Sequence, residues 1–171
     1  MGEKHQGPGV VTLLVYLIGV ASLAGGLSGW VHASGSYAWL EGLNAPNWTP
    51  SFALLNLVGL FIPVFAIISV WIVQRSGRDG TRLLASLLTG LLLAGMTTQI
   101  VVFFATRDVT LGFLIAIAMW LYALFAANLA GRSSKPAGVL LWVPFGWHTF
   151  LLVLGFELMR LNNGTTFAGG L

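Results

Sequence analysis

Five long apolar stretches dominate this sequence and limit what it can fold into. A helix needs about 20 mostly apolar residues to cross about 30 Å of hydrocarbon. Backbone polar groups must be satisfied within a span, and these stretches lack the alternation of barrel strands, so each is predicted to be a helix. We therefore expect an all-α membrane protein, a bundle of five transmembrane helices over residues 9–30, 52–74, 82–105, 110–131 and 136–161.

The composition agrees with a chain whose solvent is lipid. Hydrophobic residues make up 57% and charged residues only 8%, whereas soluble domains are about a quarter charged. The chain has no cysteine, which excludes disulfides, thiolate metal sites and thiol nucleophiles. Its eight Lys and Arg are scattered over short loops, so nucleic acid is not an expected partner. The lipid bilayer is the expected surrounding.

The loop lengths predict one membrane domain, residues 9–162, between a short N-terminal tail (1–8) and a flexible C-terminal tail (163–171). Three connections, 75–81, 106–109 and 132–135, are short enough that the helices they join should be antiparallel neighbours. The first loop, residues 31–51, is longer and rich in aromatic residues and proline. It is a candidate lid over one mouth of the bundle.

The positive charges predict an orientation. Six of them fall on the side of the N-terminus and only two, Arg107 and Arg160, on the side of the first loop. By the positive-inside rule the N-terminus should be cytoplasmic and the C-terminus outside. The six are Lys4, Arg75, Arg78, Arg82, Arg132 and Lys135. We find no internal repeat, which argues against an inverted-repeat transporter.

Seven tryptophans in 171 residues are unusual. Trp30, Trp71 and Trp142 lie near predicted span ends, where indole rings anchor helices at the membrane interface. Trp39 and Trp48 lie instead in the first loop, which is stiffened by proline. These two could belong to the interfacial belt or could close a pocket for a flat hydrophobic ligand, and both interpretations stay open.

The first loop also carries a recognisable motif. The stretch W-L-E-G-L-N-A-P-N-W-T-P, from Trp39 to Pro50, resembles the first-loop signature of the TspO/MBR family (tryptophan-rich sensory protein / translocator protein), W-Y-x-x-L-x-K-P-x-W-x-P-P. Further matches are Gln99 in the third span, W-V-P-F at 142–145 and R-L-N at 160–162. The resemblance extends over about residues 10–162, nearly the whole chain.

This resemblance implies a compact five-helix bundle, often a homodimer, with a pocket under the first loop. The pocket of the family accepts porphyrins, haem, sterols or synthetic aromatic ligands, so a bound haem, protoporphyrin or isoprenoid pigment is an implied cofactor. Proposed family roles are tetrapyrrole and lipid handling and stress signalling, with light-dependent porphyrin breakdown in some members. The implied function is that of a membrane binding or sensory protein for a flat hydrophobic ligand.

Several positions depart from the family pattern. The two tryptophans associated with porphyrin breakdown are replaced by Gly59 and Phe156. We therefore expect a binding or regulatory protein rather than an enzyme and assign no catalytic residue. The other departures are Leu40, Ser51, Thr98 and His148.

His148 and Gln99 are polar residues at membrane depth, where such side chains are costly and mark function by default. An imidazole can donate a hydrogen bond or ligate haem iron; the alternative is a bond to a carbonyl or hydroxyl group on a neighbouring helix. Residues seven apart share a helix face, so His148, Gly155 and Asn162 should form one interior stripe. Gln99 should share a face with Gly95 and Phe103, for ligand contact or an interhelical hydrogen bond.

The expected ligand-binding residues come from these motifs and from the membrane-embedded polar positions. No metal site is expected beyond the haem alternative for His148. Asn56 and Asn128 are expected to bond other helices, and Glu157 and Arg160 to form a local ion pair. The predicted ligand set is Trp39, Pro46, Trp48, Thr98, Gln99, Phe145 and His148.

Three other functions remain open from the residues. An enzyme acting on the ligand would depend on His148 as its acid, base or redox partner. A transporter for a small lipophile would need charged or broken spans that the sequence does not show. A subunit of a larger membrane complex would use small residues for helix packing, namely Gly90, Gly95, Gly112 and Gly155.

Overall fold

The computed structural model describes residues 7–76 and 79–163, and this part of the chain contains six helices. Lys4, Arg78 and the greater part of both predicted tails lie outside the described residues. The helices are α1 (Val10–Ala33), α2 (Ser36–Glu41), α3 (Phe52–Ser76), α4 (Asp79–Thr106), α5 (Val109–Ser133) and α6 (Lys135–Asn163).

The predicted fold class is confirmed. Five of the helices, all but α2, are long and apolar enough to cross a membrane. Their ends lie within three residues of the predicted ones. The short helix α2 lies within the first loop and was not predicted, because six residues are too few to give a periodic pattern. Gly35, at φ +68°, makes the left-handed turn between α1 and α2 that favours glycine.

Helices α5 and α6 form the most closely packed pair of the bundle. A methyl group built on Gly138 would lie 2.5 Å from the Cα atom of Gly131 and 2.8 Å from its nitrogen. Small residues let helix backbones approach this closely, and the resulting dispersion contacts hold helices together in lipid. The buried alanines Ala127, Ala130 and Ala137 continue the same contact.

Buried side chains fill one half of the bundle, from the middle of the helices to one end. Leu92 of α4 and Leu141 of α6 are fully buried there, together with Val73 of α3. Ala66, Ala85, Ala123 and Ala126 fill the space between these larger side chains. The C-terminal end of α3, the N-terminal end of α4 and the turn that joins α5 to α6 lie in this half of the bundle.

Helix α1 is held less tightly than the others, because no residue of its most apolar window is buried. Two interhelical hydrogen bonds join it to α3: Tyr16 donates to Gln74 at 3.1 Å, and Asn56 donates to Ser28 at 3.0 Å. The second bond confirms the prediction for Asn56. The prediction for Asn128 is wrong: its amide donates to the Leu124 carbonyl of the same helix at 2.8 Å. Asn128 lies on the exposed surface of α5, where the carbonyl one turn back is within reach.

The connection between α4 and α5 is a two-residue turn at the end of the bundle that carries the first loop. Arg107 ends α4 in the left-handed region, at φ +53°. Asp108 caps α5 by accepting hydrogen bonds from the backbone of Thr110 and Leu111, at 2.8 and 3.0 Å. Such a cap satisfies amide groups that begin a helix without a partner.

Candidate ligand-binding cavity

A cavity of about 290 Å³ occupies the other half of the bundle, under the first loop. All five long helices contribute to its wall, and Tyr37, Leu40, Ala45 and Thr49 from the first-loop region border it. Its volume is close to the lower end of the range for small-molecule sites, about 300 to 1,000 Å³. The wall is mainly aliphatic and aromatic, with a few polar side chains.

His148 lies on this wall and is only 1% exposed. Neither of its ring nitrogens has a hydrogen-bond partner within the described residues. The bond to a neighbouring carbonyl or hydroxyl group, which was the alternative interpretation, is therefore not formed. An enclosed polar group without a partner costs about 1–3 kcal/mol. In a native structure such a group calls for an explanation, and a ligand that supplies the partner is one.

The predicted stripe on α6 is confirmed as an interior face. His148 and Gly155 both line the cavity, and Asn162 contacts the first loop one turn beyond the cavity wall. A methyl group on Gly155 would lie 3.6 Å from the Cα atom of Phe113, which is an ordinary van der Waals contact. Gly155 therefore marks where α6 comes close to α5 beside the cavity.

Gln99 also lies on the wall, together with Phe103 of the same helix. No hydrogen bond within the described residues ties the Gln99 amide to a neighbouring helix, so it is free to contact a ligand. Gly95 faces α5 instead, where a methyl group would lie 2.7 Å from the Met119 sulfur. Thr98 is exposed and donates to the Ala94 carbonyl of its own helix at 2.9 Å.

The first-loop tryptophans lie behind the wall. The Trp39 ring is 5.3 Å from the ring of Phe103 and 6.4 Å from that of Phe104, and both phenylalanines line the cavity. Trp48 is 48% exposed, and its ring is 6.2 Å from that of Phe150. Neither tryptophan is on the wall. Trp39 would act on a ligand through the two phenylalanines, and Trp48 through Phe150, which stacks on the wall residue Trp147.

Two further residues of the predicted ligand set also lie off the wall. Pro46 lies in the first loop, where its carbonyl accepts a hydrogen bond from the Thr49 amide at 2.9 Å. Phe145 packs against the buried core, with its ring 5.6 Å from that of Trp120 and 5.1 Å from that of Trp142. Of the predicted set, the structure brings Gln99 and His148 together on one cavity wall; direct ligand contact by the others stays a prediction.

Trp147 is a wall residue that the sequence analysis did not single out. Its ring stacks on Phe150 at 5.3 Å and 26°. Its outer edge lies 4.0 Å from where a Cβ atom on Gly59 would be, so the indole of α6 faces the glycine of α3. The chain thus keeps an indole beside the position where the family pattern has one, supplied by a different helix. The sequence signal that could have identified Trp147 is its position next to His148, a polar residue at membrane depth.

A proline in α3 leaves one backbone carbonyl without its usual helical donor. Pro63 has no amide hydrogen, so the helix cannot donate a hydrogen bond from this position to the carbonyl of Gly59. Both residues line the cavity. The Gly59 carbonyl is therefore a candidate acceptor for a ligand hydroxyl group.

Besides its ring contacts, the first loop is tied to the helices beneath it by hydrogen bonds at two points. The Asn44 amide donates to the Asn162 side-chain oxygen at 2.9 Å, and the Asn162 amide donates back to the Asn44 carbonyl at 2.9 Å. Arg107 donates to the Ser34 carbonyl at 2.9 Å. The ends of α6 and α4 thus hold the loop over the cavity. The R-L-N ending noted in the sequence has a structural reason in Asn162.

Removing the Asn162 side chain should loosen the first loop. Each lost hydrogen bond contributes about 0.5–1.5 kcal/mol, so in Asn162→Ala we expect hydrogen exchange within residues 34–51 to accelerate about tenfold. Asn128→Ala is the matched control, because it removes an asparagine whose bond stays within its own helix. Equal protection of the first loop in the two variants would contradict this role for Asn162.

Comparison with known proteins adds one finding. The family model of the TspO/MBR family matches residues 12–161 of the chain, which is nearly its whole length. No curated protein matches the chain significantly.

Proposed function

Because the chain belongs to the TspO/MBR family, we propose that it is a membrane binding or sensory protein that holds a flat hydrophobic ligand between its helices. The ligand is a porphyrin or haem-type tetrapyrrole, or a sterol or other isoprenoid. The observation that carries the proposal is the cavity under the first loop, with the buried and unpartnered His148 on its wall.

The chemistry of the wall supports this proposal. Small-molecule sites are mostly apolar cavities in which a few polar groups fix the orientation of the ligand. Here Phe103, Phe104 and Trp147 offer ring surfaces, while Gln99 and His148 offer hydrogen bonds. Rings stack on flat ligands over a large area, and the polar groups select among ligands of similar shape.

The contacts of the first loop support a sensory function. Trp39 contacts two wall phenylalanines, and Trp48 contacts Phe150, which stacks on the wall residue Trp147, so a ligand that moves the wall rings also moves the loop. We include in the proposal that Trp39 and Trp48 close the cavity behind the ligand. Ligand occupancy would then be read at the membrane surface from the position of the loop.

Orientation and assembly are parts of the same proposal. The positive charges favour a cytoplasmic N-terminus and an outside C-terminus. A homodimer through α1 is supported by Gly25 and Gly29, which are exposed and would leave room for a partner helix, because nothing lies within 4 Å of a methyl group built on either. Small residues four apart are a common contact between membrane helices.

The proposal is tested by titrating the protein in lipid nanodiscs with haem, protoporphyrin and a carotenoid. We expect at least one of them to show saturable absorption changes at one site per chain, beyond its partition into empty nanodiscs. Partition alone for all three would contradict the proposal. Any pigment that copurifies with the protein identifies the ligand class directly.

A further inference from the structure

The cavity wall bears no formal charge. No Asp, Glu, Lys or Arg is among the described residues that line it. Arg107 and Arg160 lie at the same end of the bundle but not on the cavity wall: Arg107 donates to the Ser34 carbonyl at 2.9 Å, and Arg160 donates to Glu157 at 3.0 Å. The latter contact confirms the predicted ion pair. An ionised ligand group inside the cavity would lose its hydration without gaining a counter-charge, which is strongly unfavourable at membrane depth.

The polar groups of the wall lie at two depths. Gln99 is seven residues from the end of α4 at Thr106, which is about 10 Å along the helix. His148 is thirteen residues from the first residue of α6 and fifteen from its last, about 20 and 22 Å along the helix, so it lies near the middle of this span. Gln99 lies nearer the mouth, as does the hydroxyl group of Thr49, which has no hydrogen-bond partner within the described residues.

From these two observations we infer that the natural ligand is an uncharged lipophile that inserts with an oxygen-bearing end against His148. A carbonyl oxygen accepts from the neutral imidazole, and a hydroxyl group can donate to it. The apolar body of the ligand then packs against the aliphatic and aromatic side chains of the wall, between His148 and the mouth of the cavity. This inference rests on the proposed function and narrows its ligand class to neutral members, so tetrapyrrole dicarboxylates match the cavity poorly.

Haem illustrates the distinction. The His148 imidazole is a chemically suitable axial ligand for haem iron. The two carboxylates of haem, however, find no cation on the cavity wall. The same argument applies to free protoporphyrin, whereas its dimethyl ester is uncharged and keeps carbonyl oxygens as acceptors.

The test compares protoporphyrin IX with its dimethyl ester, which share one macrocycle and differ in charge. Both are titrated against the protein in nanodiscs, and the free concentration of each is corrected for its partition into empty nanodiscs. We expect the diester to bind at least tenfold more tightly than the free acid. Equal or tighter binding of the free acid would overturn this inference while leaving the proposed function in place. Absence of saturable binding by both overturns the inference, and the proposed function fails only if haem and the carotenoid also show partition alone.

A charge added to the wall should remove the preference for the diester. In Gln99→Lys the ammonium group can pair with a carboxylate near the mouth, so the free acid should gain at least tenfold relative to the diester. Val101→Lys is the matched control, because Val101 belongs to the same helix and is 38% exposed outside the cavity. An equal gain in both variants would show that the charge acts through the membrane surface and not through the cavity, which contradicts the inference. If Gln99→Lys does not fold, the comparison of the free acid with the diester on the unaltered protein still tests the inference.

Discussion

Replacing His148 by leucine should leave the unliganded protein at least as stable as the original while weakening its binding of a hydrogen-bonding ligand about tenfold. The imidazole is enclosed without a partner, so its removal relieves a cost of about 1–3 kcal/mol. The same change removes one hydrogen bond to the ligand, worth about 1 kcal/mol or somewhat more. Thermal unfolding and ligand titration in the same nanodiscs measure the two effects separately.

His148→Gln is the control for this prediction, because an amide keeps the ability to donate and accept a hydrogen bond. It should bind more tightly than His148→Leu. A structural role for His148 gives a different pattern, in which the leucine variant loses stability and affinity together. Unchanged affinity in the leucine variant would remove His148 from the site.

Placing a methyl group on Gly138 should destabilise the bundle by about 1–3 kcal/mol, the usual cost of overpacking a close contact. The new Cβ atom would lie within 3.0 Å of two backbone atoms of Gly131, so α5 and α6 would have to separate. We expect Gly138→Ala to unfold several degrees lower than the original in detergent. Because α6 also carries the cavity residues, ligand binding should weaken with it.

The matched control for Gly138→Ala is Gly146→Ala in the same helix. Nothing lies within 4 Å of a methyl group there, and alanine is favoured over glycine in a helix by up to about 1 kcal/mol. Gly146→Ala should therefore be neutral or stabilising. Equal unfolding temperatures for the two variants would show that the closeness of α5 and α6 at Gly138 is not what holds them together.

The number and approximate bounds of the helices could be predicted from the sequence, because a span is defined by its length and apolar composition. The helix α2 could not, because six residues among glycines and aromatic side chains give no periodic signal, and the contacts of the first loop with the bundle decide its conformation. For the same reason the pairing of Asn44 with Asn162, which are 118 positions apart, lies beyond local patterns.

The site was predictable in part. His148 and Gln99 could be predicted as cavity residues because they are polar and lie at membrane depth. Helical spacing predicted the interior stripe that includes Gly155. Trp147 was missed because the sequence does not show which residues of α6 face α3, and only the packing of α6 against α3 brings its ring to Gly59. The packing of the helices decides which tryptophans lie on the wall. The first-loop motif, which contains Trp39 and Trp48, shows only their order along the chain.

The most direct measurement of the central claim, a ligand cavity between α3 and α6, is a comparison of ligand binding by Gly59→Leu and Gly90→Leu. Gly59 lines the cavity opposite Trp147, so a leucine side chain there would occupy ligand space. Gly90 is an exposed helical glycine with nothing within 4 Å of an added methyl group. Titrated in nanodiscs with the probe that binds best, Gly59→Leu should lose at least tenfold in affinity while Gly90→Leu stays unchanged. Full affinity in a correctly folded Gly59→Leu protein would contradict the account.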